Sequence, residues 1–312
     1  MKFDFKDINL LPKKCIVSSR NECDTSIKFG NINFNMPIVP ANMECVINEE
    51  IAINLATNNQ FYIMHRFGDT EKFARNMKSM GLYISISIGV NSDSYNLLNS
   101  LYCQEIIPDY ITIDIAHGHS ISVESMIKYL KSTFKTSFII AGNISTPEAV
   151  QDLENWGADA TKVGIGPGSA CTTYPSTGFG SRNCQASVIR SCAMVAKRPI
   201  IADGGIKEPG DISKSLVMGA SMVMIGGMLS GHIDSPGNTL EYNGNKYKEF
   251  WGSASQFQSN KSNRIEGKRI LVEYKESALL DEYQHLKECL QSSISYGGGK
   301  DISCFNHVEY KL

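Results

Sequence analysis

Short apolar runs rich in Ile and Val recur along the chain, and polar–apolar stretches separate them. The runs cover 37–42, 61–65, 83–88, 110–115, 138–142, 160–164, 200–204 and 222–226. Continuous apolar segments this short fit strands buried on both faces of a parallel sheet. The intervening pattern turns helical at 49–56, 70–80, 123–134, 147–156 and 209–218. The segment from Pro147 carries its own start signal: Thr146 as N-cap, then proline at the first helical position, where a missing N–H costs nothing. Gly219 ends the last of these segments. Strand and helix alternating around eight runs predict an α/β fold, a (β/α)8 barrel. No Gly/Ser/Pro linker divides the chain, so one domain over 1–312 is expected, with the barrel at about 30–230. Beyond the eighth run, 231–275 reads as polar and irregular and 279–292 as a helical tail. A long loop leaving that end of a barrel is either a lid over the site or a disordered segment.

Composition narrows the function classes. The 312 residues are 42% hydrophobic and 20% charged, with net charge −2. Such a balance offers no electrostatic footprint for nucleic acid or anionic membrane, so any phosphate must be held by local geometry. The start, MKFDFKDINLLPKK, lacks the apolar core of a signal peptide, and no apolar run is long enough for a bilayer. Nine cysteines without a CxxC pair suit a reduced, cytoplasmic protein better than a disulfide or zinc scaffold.

The sixth run leads straight into Gly164-Ile165-Gly166-Pro167-Gly168-Ser169-Ala170-Cys171-Thr172-Thr173. Alternate glycines let the backbone turn tightly and present its polar groups to a ligand. Cys171 therefore stands at the C-terminal mouth of the expected barrel, where catalytic groups belong. Two readings stand level: a nucleophile, or a phosphate or cation loop that happens to hold a cysteine. The seventh and eighth runs end in Asp203-Gly204-Gly205 and Gly226-Gly227, the positions where barrels hold phosphate with backbone N–H groups. Asp203 offers two acceptor oxygens to a ribose diol. Phosphate and diol acceptor together describe a nucleoside monophosphate.

Other candidates are weaker alone. Asp114-Ile115-Ala116-His117-Gly118-His119 could hold a metal, but no partner stands at ligand spacing, and a polar contact to a second substrate is preferred. Arg66 suits a cofactor phosphate or a solvated rim. In Arg264-Ile265-Glu266-Gly267-Lys268, Glu266 is a general acid/base or part of a surface charge cluster. No GxGxxG follows the first run, so a dinucleotide would bind in some other way.

Taken together, these motifs resemble the IMP dehydrogenase and GMP reductase family. The likeness rests on residues 166–173, Thr177-Gly178-x-Gly180, Ile201 to Ile206 and Met224 to Leu229. It extends through Asn9 to Pro12, Pro40 to Met43, Asp114 to Gly118 and Glu266 to Lys268, and so covers nearly the whole chain. Within the family the sequence is similar to the reductase branch, in its bacterial form. Neither an inserted regulatory module nor an Arg-Tyr flap is evident, while Phe250 to Ser255 and Tyr296 to Gly299 resemble reductase segments. Tyr174, where many relatives carry a basic residue, and Ser253-Ala254-Ser255 depart from the common pattern.

The resemblance implies NADPH-dependent reductive deamination of GMP to IMP in purine salvage. It implies that Cys171 attacks, with Thr173 and Glu266 managing the proton of the leaving amine. Substrate contacts are implied for Asp203, Gly204, Gly205, Gly226, Gly227, Met43, Ser253, Ala254, Ser255, Arg264, Gly267 and Lys268. Cofactor contacts fall on Arg66, Asp114 and Ala116, and on Tyr296 and Gly297 across a subunit boundary of an expected homotetramer. Carbonyls of Gly166, Gly168 and Cys171 match the potassium positions. The competing readings are an IMP dehydrogenase using NAD, and a non-catalytic purine-sensing barrel.

Overall fold

The computed structural model describes residues 2–253 and 267–312. Its centre is a parallel sheet of seven strands: β4 (Ile38–Pro40), β5 (Ser85–Ile88), β6 (Tyr110–Asp114), β7 (Phe138–Ile144), β8 (Ala160–Val163), β9 (Ile200–Asp203) and β10 (Met222–Ile225). They pair in the order β4-β10-β9-β8-β7-β6-β5. Every residue of β4, β5, β8 and β10 is buried, as strands covered on both faces require. This α/β architecture is consistent with the expected barrel.

Seven of the eight anticipated strands thus join the ladder, and the run 61–65 does not form a full one. It touches β5 through one parallel bridge, Met64 to Ile86. Side chains meet its backbone instead. The Tyr83 hydroxyl donates to the Gln60 carbonyl at 2.6 Å and accepts from the Tyr62 amide at 3.2 Å, and Ser87 Oγ donates to the Met64 carbonyl at 2.6 Å. With its polar groups served this way, the segment has less need of ladder partners.

Among the described residues the helices are α1 (Glu49–Thr57), α2 (Thr70–Ser79), α3 (Ser92–Cys103), α4 (Ile121–Thr133), α5 (Pro147–Trp156), α6 (Thr173–Thr177), α7 (Gln185–Ala193), α8 (Pro209–Val217) and α9 (Leu279–Tyr296). The Thr146 hydroxyl caps α5 by accepting from the Ala149 amide at 3.2 Å, and Gly157 ends it at φ 112°. α4 buries Val123, Met126, Ile127 and Leu130, the i, i+3, i+4, i+7 stripe that anchors a helix to a sheet. α3, α6 and α7 were not anticipated. α3 is polar on much of its surface, and its caps, Asn91 before and Gln104 after, give little contrast with its interior.

One end of the sheet is plugged. A hairpin of β2 (Ile27–Phe29) and β3 (Ile32–Phe34) turns at Gly30, φ 62°, and inserts Phe29 and Phe34 among Phe61, Tyr83, Tyr110 and Phe138. Tyr110 and Phe138 open β6 and β7, so the plug fills the N-terminal end and leaves the C-terminal mouth for ligands.

The tail corrects the sequence reading. Residues expected to be irregular form an antiparallel sheet of β11 (Thr239–Tyr242), β12 (Asn245–Trp251) and β13 (Arg269–Glu273). Asn243 and Gly244, at φ 51° and 75°, make the two-residue turn that matches strand twist. Lys248, buried, donates to the carbonyls of Ile233, Ser235 and Gly237 at 3.3, 2.8 and 3.1 Å and clamps the preceding loop. The chain ends by pairing β14 (Tyr310–Lys311) with β1 (Asn9–Leu10).

Candidate active site

The strand ends build the floor of the mouth. Lys162, the third residue of β8, is 3% exposed and holds a carboxylate on each side: Asp114 Oδ1 at 2.8 Å and Asp203 Oδ2 at 2.7 Å. Asn143 Nδ2 donates to the same Asp203 oxygen at 2.7 Å and to the Gly164 carbonyl at 2.6 Å. Burial alone would push the ammonium's pKa down, but the two adjacent carboxylates outweigh it and hold Lys162 above the ordinary lysine range. Burial likewise raises the Asp114 carboxyl, and Lys162 and Arg66 together bring it below the usual range. Sequence reading missed Lys162 and Asn143. The available signal was one lysine inside an otherwise apolar strand run.

Above this floor runs the cysteine loop. Gly164 sits at φ 152°, and a Cβ there would collide with the Asp203 carbonyl, so the loop leaves β8 pressed against the end of β9. Gln185 Nε2 ties the two strand ends by donating to the carbonyls of Val163 and Asp203 at 2.9 and 3.1 Å. The Cys171 amide donates to the Gly168 carbonyl at 3.1 Å, and its thiol donates to the Thr173 hydroxyl at 3.2 Å. The tail sheet braces this turn. Cys171 bridges Gly267, and the Lys268 amide donates to the Ala170 carbonyl at 2.9 Å.

Two adjoining cavities occupy the mouth. One, of about 190 Å³, is lined by Cys171, Thr173, Arg66, Asp114, Ala116 and Ser253, with Gly166 and Gly168. The other, of about 400 Å³, is lined by Gly205, Gly226, Gly227 and Ser169. Met43, Asp203 and Gly204 line both. A ligand spanning the two would therefore place one end at the thiol, its middle at Asp203 and the other end at the paired glycines. That sequence of groups matches base, ribose and phosphate. Gly204 and Gly205 at φ 87° and 84° keep the wall free of side chains there.

The structure does not gather every anticipated residue. Tyr296 and Gly297 line a separate groove with Leu10, Pro12, His285 and Phe305. His119 turns away to Asp152, 2.8 Å from its Oδ2, and packs on Trp156, while His117 is exposed. Among the described residues no cluster of His, Cys, Asp and Glu suits a metal ion. Lys268 is exposed beside the cysteine turn. Ala254, Ser255, Arg264 and Glu266 lie outside the described residues. Of the nine cysteines only Cys171 lines either cavity of the mouth. Cys45, which accepts from the Trp251 amide at 3.3 Å nearby, is pushed up to about 12 by burial and stays a thiol.

Comparison with known proteins agrees with this geometry. Residues 2–309 match the family model described as IMP dehydrogenase / GMP reductase domain. A protein of Oceanobacillus iheyensis named GMP reductase is 53% identical over 310 residues, 99% of this chain and 94% of its own. Proteins of the same name from Clostridium acetobutylicum and Albidiferax ferrireducens are 53% and 54% identical, each covering 99% of this chain and 95% of its own. No described helix is long and apolar enough to cross a membrane.

Proposed function

Because the chain belongs to the IMP dehydrogenase / GMP reductase domain family, we propose that it reduces GMP to IMP and ammonia through a covalent thioimidate on Cys171. The supporting observation is the pair of adjoining cavities, with Cys171 and Thr173 in one, the paired glycines in the other and Asp203 on the shared wall.

In this mechanism the paired glycines bind phosphate, Asp203 holds the ribose, and C2 of guanine lies at the thiol. Cys171, as thiolate, forms a bond to C2, and the electron pair displaced moves onto the purine ring. Ammonia departs only when protonated, and Thr173, already bonded to the thiol, passes the proton with Glu266 as its source. Expelling ammonia restores the C2–N double bond and leaves the thioimidate. NADPH, when bound, supplies the hydride that C2 receives. The C–S bond then breaks, its electron pair returns to sulfur, and IMP is released. Arg66, Asp114 and Ala116 line the cysteine cavity and fit a nicotinamide nucleotide beside the substrate. A potassium ion would be held by the carbonyls of Gly166, Gly168 and Cys171. Gly168 fits that role, since its oxygen accepts one N–H and keeps a second lone pair, and the ion would stiffen the turn. Four copies of the chain in cytoplasm complete the reading, with Tyr296 and Gly297 serving the neighbour's cofactor.

Purified protein given GMP with NADPH, and separately IMP with NAD, tests this by the absorbance of reduced nicotinamide and by ammonia. Absorbance is expected to fall with GMP and release ammonia. Oxidation of IMP without any turnover of GMP would identify a dehydrogenase instead, and binding with no turnover of either a sensor.

A further inference from the structure

Lys162 has no place in the chemistry above, yet among the described residues it is the most buried charge at the mouth, 3% exposed. Its three N–H donors point to Asp114 at 2.8 Å, Asp203 at 2.7 Å and the weak acceptor Met224 Sδ at 4.0 Å. A lysine serving only to fill the sheet interior would be matched by an aliphatic side chain without the cost of desolvating an ion. The two carboxylates it joins are the ones that the functional reading assigns to different ligands.

We propose that Lys162 is a positioning residue, a single buried ammonium that orients Asp203 for the substrate ribose and Asp114 for the cofactor. The inference rests on the GMP reductase reading of the cavities. Asp203 shows how the positioning works. Its Oδ2 accepts from both Lys162 Nζ and Asn143 Nδ2, at 2.7 Å each, which uses both lone pairs of that oxygen. Oδ1 keeps two lone pairs, and among the described residues no hydrogen bond reaches it. One oxygen with two lone pairs suits the two vicinal hydroxyls of a ribose. Without Lys162 only the Asn143 bond would restrain the carboxylate, and two buried negative charges would repel each other across the cavity floor.

The test compares GMP with 2′-deoxy-GMP, which lacks one of those hydroxyls. Wild-type protein is expected to prefer GMP by at least about tenfold in kcat/KM, the discrimination a site built around a hydroxyl provides. Lys162→Met is expected to bring the two substrates within about twofold and to raise the KM for NADPH by about tenfold. Partial misfolding lowers the active fraction for both substrates alike and leaves the ratio and both KM values unchanged. Should Lys162→Met not fold, the double variant Lys162→Met/Asp114→Asn, which removes one charge of each sign, reads the same ratio. A wild type that treats both nucleotides alike, or a folded variant that keeps the ratio, overturns the inference while GMP turnover stands. Failure of the wild type to turn over GMP at all instead overturns the functional reading beneath it.

Discussion

A cysteine attacks as thiolate, and the residues within reach decide whether it can. At Cys171, Thr173 lies 3.2 Å from sulfur and is itself 8% exposed. Cys171→Ala is expected to abolish turnover of GMP while calorimetry still detects GMP binding, because the proposed ribose and phosphate contacts lie elsewhere. Full activity in that variant would remove the covalent step from the mechanism. The Lys162 triad carries a pH prediction. Lys162 is raised in the folded chain, so its contribution to stability is complete below the ordinary lysine value of 10.5 and fades as pH climbs through the higher folded one. Asp114 is lowered, so its contribution is complete above the ordinary 3.8 and fades as pH falls through the lower folded one. Denaturant midpoints of the wild type should therefore exceed those of Lys162→Met by a constant margin across neutral pH. The margin should shrink in strong acid; one that peaked near neutrality would contradict the assignment.

Among the elements, the junction of β8 with the cysteine loop is the most constrained. Gly164 combines φ 152° with a backbone contact that leaves no room for a Cβ. Gly164→Ala is expected to cost about 2–4 kcal/mol in a urea titration, through strain and a displaced β9 end. A cost below about 0.5 kcal/mol would show that the loop leaves the strand by another path. For contrast, Thr146→Ala removes only the cap of α5 and should cost about 1 kcal/mol. The tail sheet is an element of a different kind. It contributes little core, yet β13 and the residues before it grip the cysteine turn through Gly267 and Lys268, so its folding and the shape of the site are linked.

On the scale of the whole molecule, the two ends of the sheet have separate duties. The aromatic plug fills the N-terminal end, and the mouth at the other end is the proposed site. Phe29→Ala, which empties a site packed against Phe61 and Phe138 at 5.1 and 5.0 Å, is expected to cost about 3–5 kcal/mol of stability. The KM for GMP should stay within about twofold, since distant sites add independently. A large shift in KM would mean the plug shapes the mouth. Sedimentation equilibrium should find assemblies of four 34.4 kDa chains, and a monomer active with NADPH would exclude Tyr296 and Gly297 as a neighbour's cofactor contacts. What the sequence alone determined was local: seven strand runs, α5 from Thr146 to Gly157, the glycine–cysteine loop and the two glycine pairs. Periodicity, caps and turn residues act over a few positions, so they can be read along the chain. The Asn243-Gly244 turn carries the same kind of local signal, but its polar surroundings made 231–275 look irregular and hid it. Tertiary structure alone decided that residues 61–65 give their hydrogen bonds to tyrosine and serine hydroxyls rather than to a full ladder. It also decided that the tail sheet braces the cysteine, that Tyr296 lies in another groove, and that Lys162 meets a carboxylate 41 residues away. Such pairings depend on which strand ends the sheet brings together, and a buried charge acquires its meaning only from the partners that burial supplies.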